Sequence, residues 1–173
     1  MTVAVKSLLL IAVLGLAACN NPDRYGAGGP GGAEGGAGGI DVNGLGDPSN
    51  PTSIAYFNQT VGDRVLFQVD QSTLTPEGRS TLTAQAQWLL TNPGFAAIIE
   101  GHADEQGTRE YNLALGARRA AAVQNFLISQ GVPASRLRTI SYGKERPIEV
   151  CSEEACYAKN RRAVTVLSAG VGA

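Results

Sequence analysis

One arginine stands where a helix should carry an apolar side chain. Residues 109–130 have helical periodicity, and at 100° per residue Leu115, Ala122, Val123 and Phe126 fall on one stripe. With Leu115 set at zero, Arg119 falls at about 40° and Asn112 at about 60°, inside that stripe, while Arg118 lies toward its flank. A guanidinium aimed at a core boundary needs a fixed partner, because an unpaired buried charge is costly. Helical side chains lean toward the N-terminus, so Arg119 points back to the loop Gly101-His102-Ala103-Asp104-Glu105-Gln106-Gly107. Two chemistries fit this placement. One is a structural Asp104–Arg119 salt bridge. The other is a pocket with one carboxylate and one guanidinium, suited to an amino acid that carries both ammonium and carboxylate.

Catalysis is a poorer fit. His102 beside Asp104 and Glu105 is the chain's one histidine. A metal site wants a second imidazole or a thiolate cluster, and a hydrolase wants a nucleophile beside a base. No catalytic residue, metal or cofactor is expected, and His102 reads as a polar residue that orients its loop. A net charge of −1 excludes the electrostatic footprint of a nucleic-acid binder. No apolar run reaches the ~20 residues of a membrane-spanning helix.

The elements that must position these residues follow from local signals. Residues 64–70 are rich in β-formers and end in a turn cluster, so a strand is expected there, with residues 54–58 pairing as a hairpin. Thr75-Pro76-Glu77 supplies a cap, a first-turn proline and an acid, and Leu82, Ala86 and Leu89 continue an amphipathic helix up to Asn92. Residues 96–100 read as a buried strand. The helix bearing Arg119 follows, with Gly131 as its C′ residue. Strands are expected at 139–142 and 163–167, with a helical turn through 153–159 between them. The order β-α-β-α-β-α-β gives an α/β sandwich with helices covering one sheet.

That domain, residues 54–168, is preceded by two segments of different character and followed by a short tail, 169–173. Residues 1–18 read as a secretory signal with Lys6 at its start. Leu16-Ala17-Ala18-Cys19 resembles the bacterial lipobox, which implies cleavage before Cys19 and three acyl chains on it, enough for stable anchoring. Asn20 rather than aspartate after the cysteine implies the outer membrane. Residues 19–53 form a tether: 11 of the chain's 22 glycines lie in residues 26–46, too apolar-poor to offset their ordering entropy. As a coil, the 34 residues after Cys19 span about 30–35 Å root-mean-square and at most about 120 Å extended. In an oxidising periplasm the remaining Cys151 and Cys156 are expected to form a disulfide.

The blocks Ile99-Glu100-Gly101-His102-Ala103-Asp104-Glu105-Gln106-Gly107-Thr108, Glu110-Tyr111-Asn112-Leu113, Leu115-Gly116, Arg118-Arg119-Ala120, Ser141-Tyr142-Gly143-Lys144-Glu145-Arg146-Pro147 and Lys159-Asn160-Arg161-Arg162-Ala163-Val164 closely resemble the OmpA-like peptidoglycan-binding domain. The resemblance covers roughly residues 60–168 and implies a mixed sheet with helices on one face. It implies that Asp104 faces the ammonium and Arg119 the carboxylate of diaminopimelate in the wall stem peptide. Asn112 would orient the loop, Gly116 would leave room for backbone approach, and Asn160 and Arg161 would border the same groove. It further implies an outer-membrane lipoprotein, its domain facing the periplasm, that holds the membrane to peptidoglycan and serves cell division in the Tol–Pal complex. Lipoproteins of this kind also bind the β-propeller TolB, so a protein-interaction module whose main ligand is TolB is the alternative. The Cys151/Cys156 pair departs from many relatives.

Overall fold

The computed structural model describes residues 44–169. The expected signal segment, Cys19, residues 20–43 of the tether and residues 170–173 of the tail lie outside them.

The chain enters through a short helix, α1 (Ile54–Tyr56), that widens into a π-helical turn over Phe57–Gly62. Strand β1 (Arg64–Leu66), helix α2 (Pro76–Thr91), strand β2 (Phe95–His102) and helix α3 (Arg109–Ser129) follow. A 3-10 turn, Ala134–Arg136, leads into β3 (Leu137–Gly143), then helix α4 (Glu154–Asn160) and β4 (Arg162–Ala169). The sheet order is β1-β4-β2-β3: β4 runs antiparallel to both of its neighbours, and β2 and β3 are parallel. The alternation expected of β-α-β-α-β-α-β is therefore present, on a mixed sheet.

Local chemistry sets the helix ends. Thr75 accepts from the Gly78 amide at 3.0 Å with Pro76 in the first turn, and Thr108 accepts from the Tyr111 amide at 3.2 Å. At the far end of α3, Gly131 takes φ +100°, a conformation costly for residues with a Cβ. Its amide reaches Ile128 O at 2.9 Å and the next amide, Val132, reaches Leu127 O at 3.1 Å. The paired bonds stop the helix and bury Val132 against Leu127.

One face of the sheet carries the core. Phe95, Ala97 and Ile99 of β2 are buried with Leu82, Leu89, Val123 and Leu127 of the two long helices. The opposite face exposes Ile98, Ile140 and Val166. Closest approach is glycine on glycine: a Cβ built on Gly116 of α3 would stand 2.7 Å from the Gly101 carbonyl oxygen of β2 and overlap the Ser141 hydroxyl. Gly116 thus leaves room for the sheet backbone, and the contact sets the height of α3 over β2. Gly116→Ala is expected to destabilise the domain by about 1–3 kcal/mol through overpacking. Urea unfolding measures it, and an unchanged midpoint would mean that α3 can lift off the sheet freely.

The N-terminal part of the domain departs from expectation. Residues 54–58 are not a strand: Ser53 caps α1 by accepting from the Tyr56 amide at 2.9 Å, and the turn it starts carries Phe57 into the core, 5.0 Å from the Trp88 ring. Residues 44–53, expected in the tether, pack on the domain. Leu45 lies against the core, Ser53 is buried, and Trp88 Nε1 donates to Pro51 O at 2.7 Å. β1 is three residues rather than seven: its partner β4 begins at Arg162, opposite Leu66.

Candidate functional site

The loop from β2 to α3 is held from three directions. Asn112 of α3, fully buried, donates Nδ2 to Gln106 O at 2.7 Å, the orienting role expected of it. Lys144 donates to Gly107 O at 2.7 Å. Asn160, also buried, donates Nδ2 to Glu105 Oε1 at 2.7 Å and to Glu149 O at 2.8 Å, and its Oδ1 accepts from the Ile148 amide at 2.9 Å. These bonds aim Asp104 inward, leaving it 7% exposed.

Asp104 and Arg119 are not paired, so the structural salt bridge is not what this fold contains. Asp104 Oδ2 meets Arg161 Nη1 at 3.1 Å instead. The Arg119 guanidinium, 0% exposed, donates Nε to Gln71 O at 2.8 Å, Nη1 to His102 O at 2.8 Å and Nη2 to Gln68 O at 3.2 Å. It lies over the Phe67 ring, 5.2 Å from the centroid. The helical wheel placed the guanidinium on the correct face. Its partners are backbone carbonyls: His102 O, in the loop region the lean of α3 pointed to, and two in the segment after β1, some fifty residues away in sequence. Between those two, Asp70 lies in the left-handed region, at φ +54°. Burial lowers the Arg119 pKa to about 10, with the Asp104 charge opposing the shift. It is a cation at neutral pH.

In front of Arg119 lies a cavity of about 320 Å³ whose lining includes Val69, Asp70, Asp104, Gln106, Tyr111 and Asn112. Arg119, Gly116, Asn160 and Arg161 stand outside that lining: Arg119 behind it, Gly116 against the sheet, and Asn160 and Arg161 supporting its loop. Tyr111 and Asp70 are among the lining residues that the sequence reading did not single out for the site. Tyr111 sits on the exposed side of α3, and its hydroxyl bonds the Asp70 carboxylate. Asp70 gave only a turn signal. The cavity offers carboxylates at its surface and a buried guanidinium beneath, which suits a ligand with a cationic group.

His102 does its loop work through its backbone carbonyl, the acceptor for Arg119. Its ring is buried, 5.5 Å from that of Tyr142, with neither nitrogen hydrogen-bonded, although Glu100 Oε2 lies 3.5 Å away. Burial, then the charges of Arg162 and Arg146, lower its pKa from 6.5 to about 4. The unfolded chain therefore takes up this proton first as pH falls, and stability is lost from about pH 6.5 down to about 4. The expected loss is about 2–3 kcal/mol, absent in His102→Phe. Urea midpoints at neutral and acid pH check this, and parallel pH profiles for the two proteins would refute it.

Cys151 and Cys156 are joined by a disulfide, their Cα atoms 6.0 Å apart. Among the described residues, no group of three or more His, Cys, Asp and Glu side chains could hold a metal ion.

The OmpA family model matches residues 66–161. An Agrobacterium fabrum protein named peptidoglycan-associated lipoprotein is 56% identical over 131 residues, which cover 76% of this chain and 73% of that protein. A protein of the same name from Mesorhizobium japonicum is 47% identical over 166 residues, covering 96% of this chain and 91% of its own. The crystal structure of the peptidoglycan-associated lipoprotein from Burkholderia pseudomallei matches with a TM-score of 0.63 at 36% identity, over 70% of this chain and 100% of that one. Apart from Val69 and Asp70, the lining of this cavity comes from the motif blocks that carry the resemblance, and the chain belongs to the OmpA family, among the peptidoglycan-associated lipoproteins.

Proposed function

We propose that this chain is an outer-membrane lipoprotein that binds peptidoglycan without covalent chemistry, through the diaminopimelate of the stem peptide. The observation that carries the reading is a carboxylate-lined cavity set in front of a fully buried guanidinium. Asp104 faces the ligand ammonium, and Arg119 supplies the positive charge toward its carboxylate. Asn112, Asn160 and Arg161 hold the loop that presents Asp104. Lipid on Cys19 fixes the chain to the outer membrane, and the glycine-rich tether lets the domain reach the wall across the periplasm. In that position it ties membrane to wall as part of the Tol–Pal system and draws the membrane inward at division.

A second reading, a module whose main ligand is TolB, has its own support. Val69 is 54% exposed, Tyr111 44% and Leu113 46%, an apolar rim beside the cavity that suits a protein surface. Sedimentation of the whole chain with purified walls separates the two. On the wall reading the chain pellets, is released by soluble diaminopimelate-containing peptide, and TolB competes. Failure to pellet without TolB, together with firm TolB binding, selects the second reading. The anchor is tested apart from both: Cys19→Ser is expected to leave the chain unprocessed or in the soluble periplasmic fraction, and firm outer-membrane retention of a cleaved Cys19→Ser chain would remove the lipid from the account.

A further inference from the structure

The disulfide and α4 lie outside the cavity lining, yet they connect to its carboxylate through one side chain. Arg161, 4% exposed, donates Nε to Phe67 O at 3.3 Å and Nη1 to Asp104 Oδ2 at 3.1 Å. The other side of the same guanidinium is taken by Glu154, the first residue of α4. Its Oε1 bonds Arg161 Nη2, and its Oε2 lies 3.4 Å from Nη1. Arg161 is therefore shared between two carboxylates, one facing the cavity and one facing solvent.

The charge count gives this sharing a consequence. Asp104 with Arg161 alone is a neutral pair, which attracts an ammonium on its carboxylate side less than an unpaired carboxylate does. Glu154 adds a second negative charge on the far side of the guanidinium. The triad then carries one net negative charge, which the ligand ammonium would balance. The forked contact also fixes the plane of the guanidinium, and so the direction in which Asp104 is held. The N-cap residue of α4 is Glu153, whose side chain makes no cap bond. The Cys151–Cys156 bond closes the turn from which α4 begins, with Cys156 two residues after Glu154.

We propose that Glu154 is a positioning residue for the cation end of the cavity, acting through Arg161 on Asp104 and held in place by the Cys151–Cys156 disulfide. The proposal rests on the wall-binding reading. It goes beyond it by assigning a role to a residue and a covalent link that never touch the ligand. The Glu154 side chain is 66% exposed, so a substitution there opens no core cavity.

The test uses the whole chain and a soluble diaminopimelate-containing stem peptide, with an otherwise identical peptide acetylated on the free diaminopimelate amine. Glu154→Gln is expected to weaken binding of the free-amine peptide about three- to fivefold, with the melting temperature nearly unchanged and Glu154→Asp restoring much of the loss. Binding of the acetylated peptide, which lacks the cation, should be the same in Glu154→Gln and wild type. Replacing Cys151 and Cys156 together by serine should produce a comparable loss, and adding that change to Glu154→Gln should produce no further one. Wild-type affinity in Glu154→Gln, an equal loss for both peptides, or full additivity with the cysteine pair would each overturn the proposal. Asp104→Asn is the reference: if it too binds as wild type, the wall reading fails, whereas loss there with none in Glu154→Gln removes this role alone.

Discussion

Alanine at position 119 is expected to lower the unfolding free energy by about 3–5 kcal/mol and to abolish retention on cell walls, two effects of one deletion. The guanidinium bonds the carbonyls of Gln71, His102 and Gln68, the last of which also accepts from the Gln71 amide at 3.1 Å. Its removal leaves three acceptors facing a void over the Phe67 ring, and the segment that forms one side of the cavity loses its hold. Arg119→Lys keeps the charge but not the fork, so it should fall between wild type and alanine in both readings. Arg118, which lies over the Tyr111 ring at 5.9 Å, should change wall binding little when replaced by alanine. Binding must be measured at a temperature where circular dichroism shows each variant folded. A folded Arg119→Ala domain that pellets with walls as wild type does would leave Arg119 a purely structural residue.

Arg119 also marks how far the sequence could be read. Its burial was legible because helical periodicity is a local property, and the same is true of the Thr75 and Thr108 caps and of Gly131 after α3. Its partners were not legible. They are backbone carbonyls, two of them in a distant segment, and a carbonyl has no residue type to signal it; the third, His102 O, does lie in the loop to which the helical lean pointed. One of the two readings, an Asp104–Arg119 bridge, joined charges close in sequence, whereas folding brings Arg161 of a later element to Asp104. Misreading residues 54–58 has a similar cause. Ile54, Tyr56 and Phe57 favour strands, but the Ser53 cap and the burial of Phe57 against Trp88 outweigh that weak preference. β1 is short because its partner β4 begins only at Arg162, opposite Leu66, and run-on β-formers in one segment do not show where the partner starts. Asp70 and Tyr111 were missed because each looks like ordinary surface until the chain brings them together.

Asp104 offers the cleaner separation of binding from folding. It supplies charge at the cavity wall, but the fold depends on it less than on Arg119. Its carboxylate accepts from the Gln106 amide at 3.3 Å and pairs with Arg161, which keeps Phe67 O and Glu154 when Asp104 is altered. Asp104→Asn retains size and an acceptor oxygen and removes only the charge. Its stability should stay within about 1–2 kcal/mol of wild type. Binding should suffer far more, because the ligand ammonium would meet Arg161 without the intervening carboxylate. Removing one partner of a desolvated charged contact costs about 2–5 kcal/mol, which is a loss of about thirtyfold or more in affinity. Calorimetry with the diaminopimelate-containing peptide gives the second number and thermal unfolding the first. A purely structural Asp104 predicts the reverse ordering, a large drop in melting temperature with affinity preserved in the folded fraction. If walls are lost and TolB is kept, the charged cavity and the apolar rim beside it serve different ligands; if both are lost together, one surface serves both, and the two partners must compete for it.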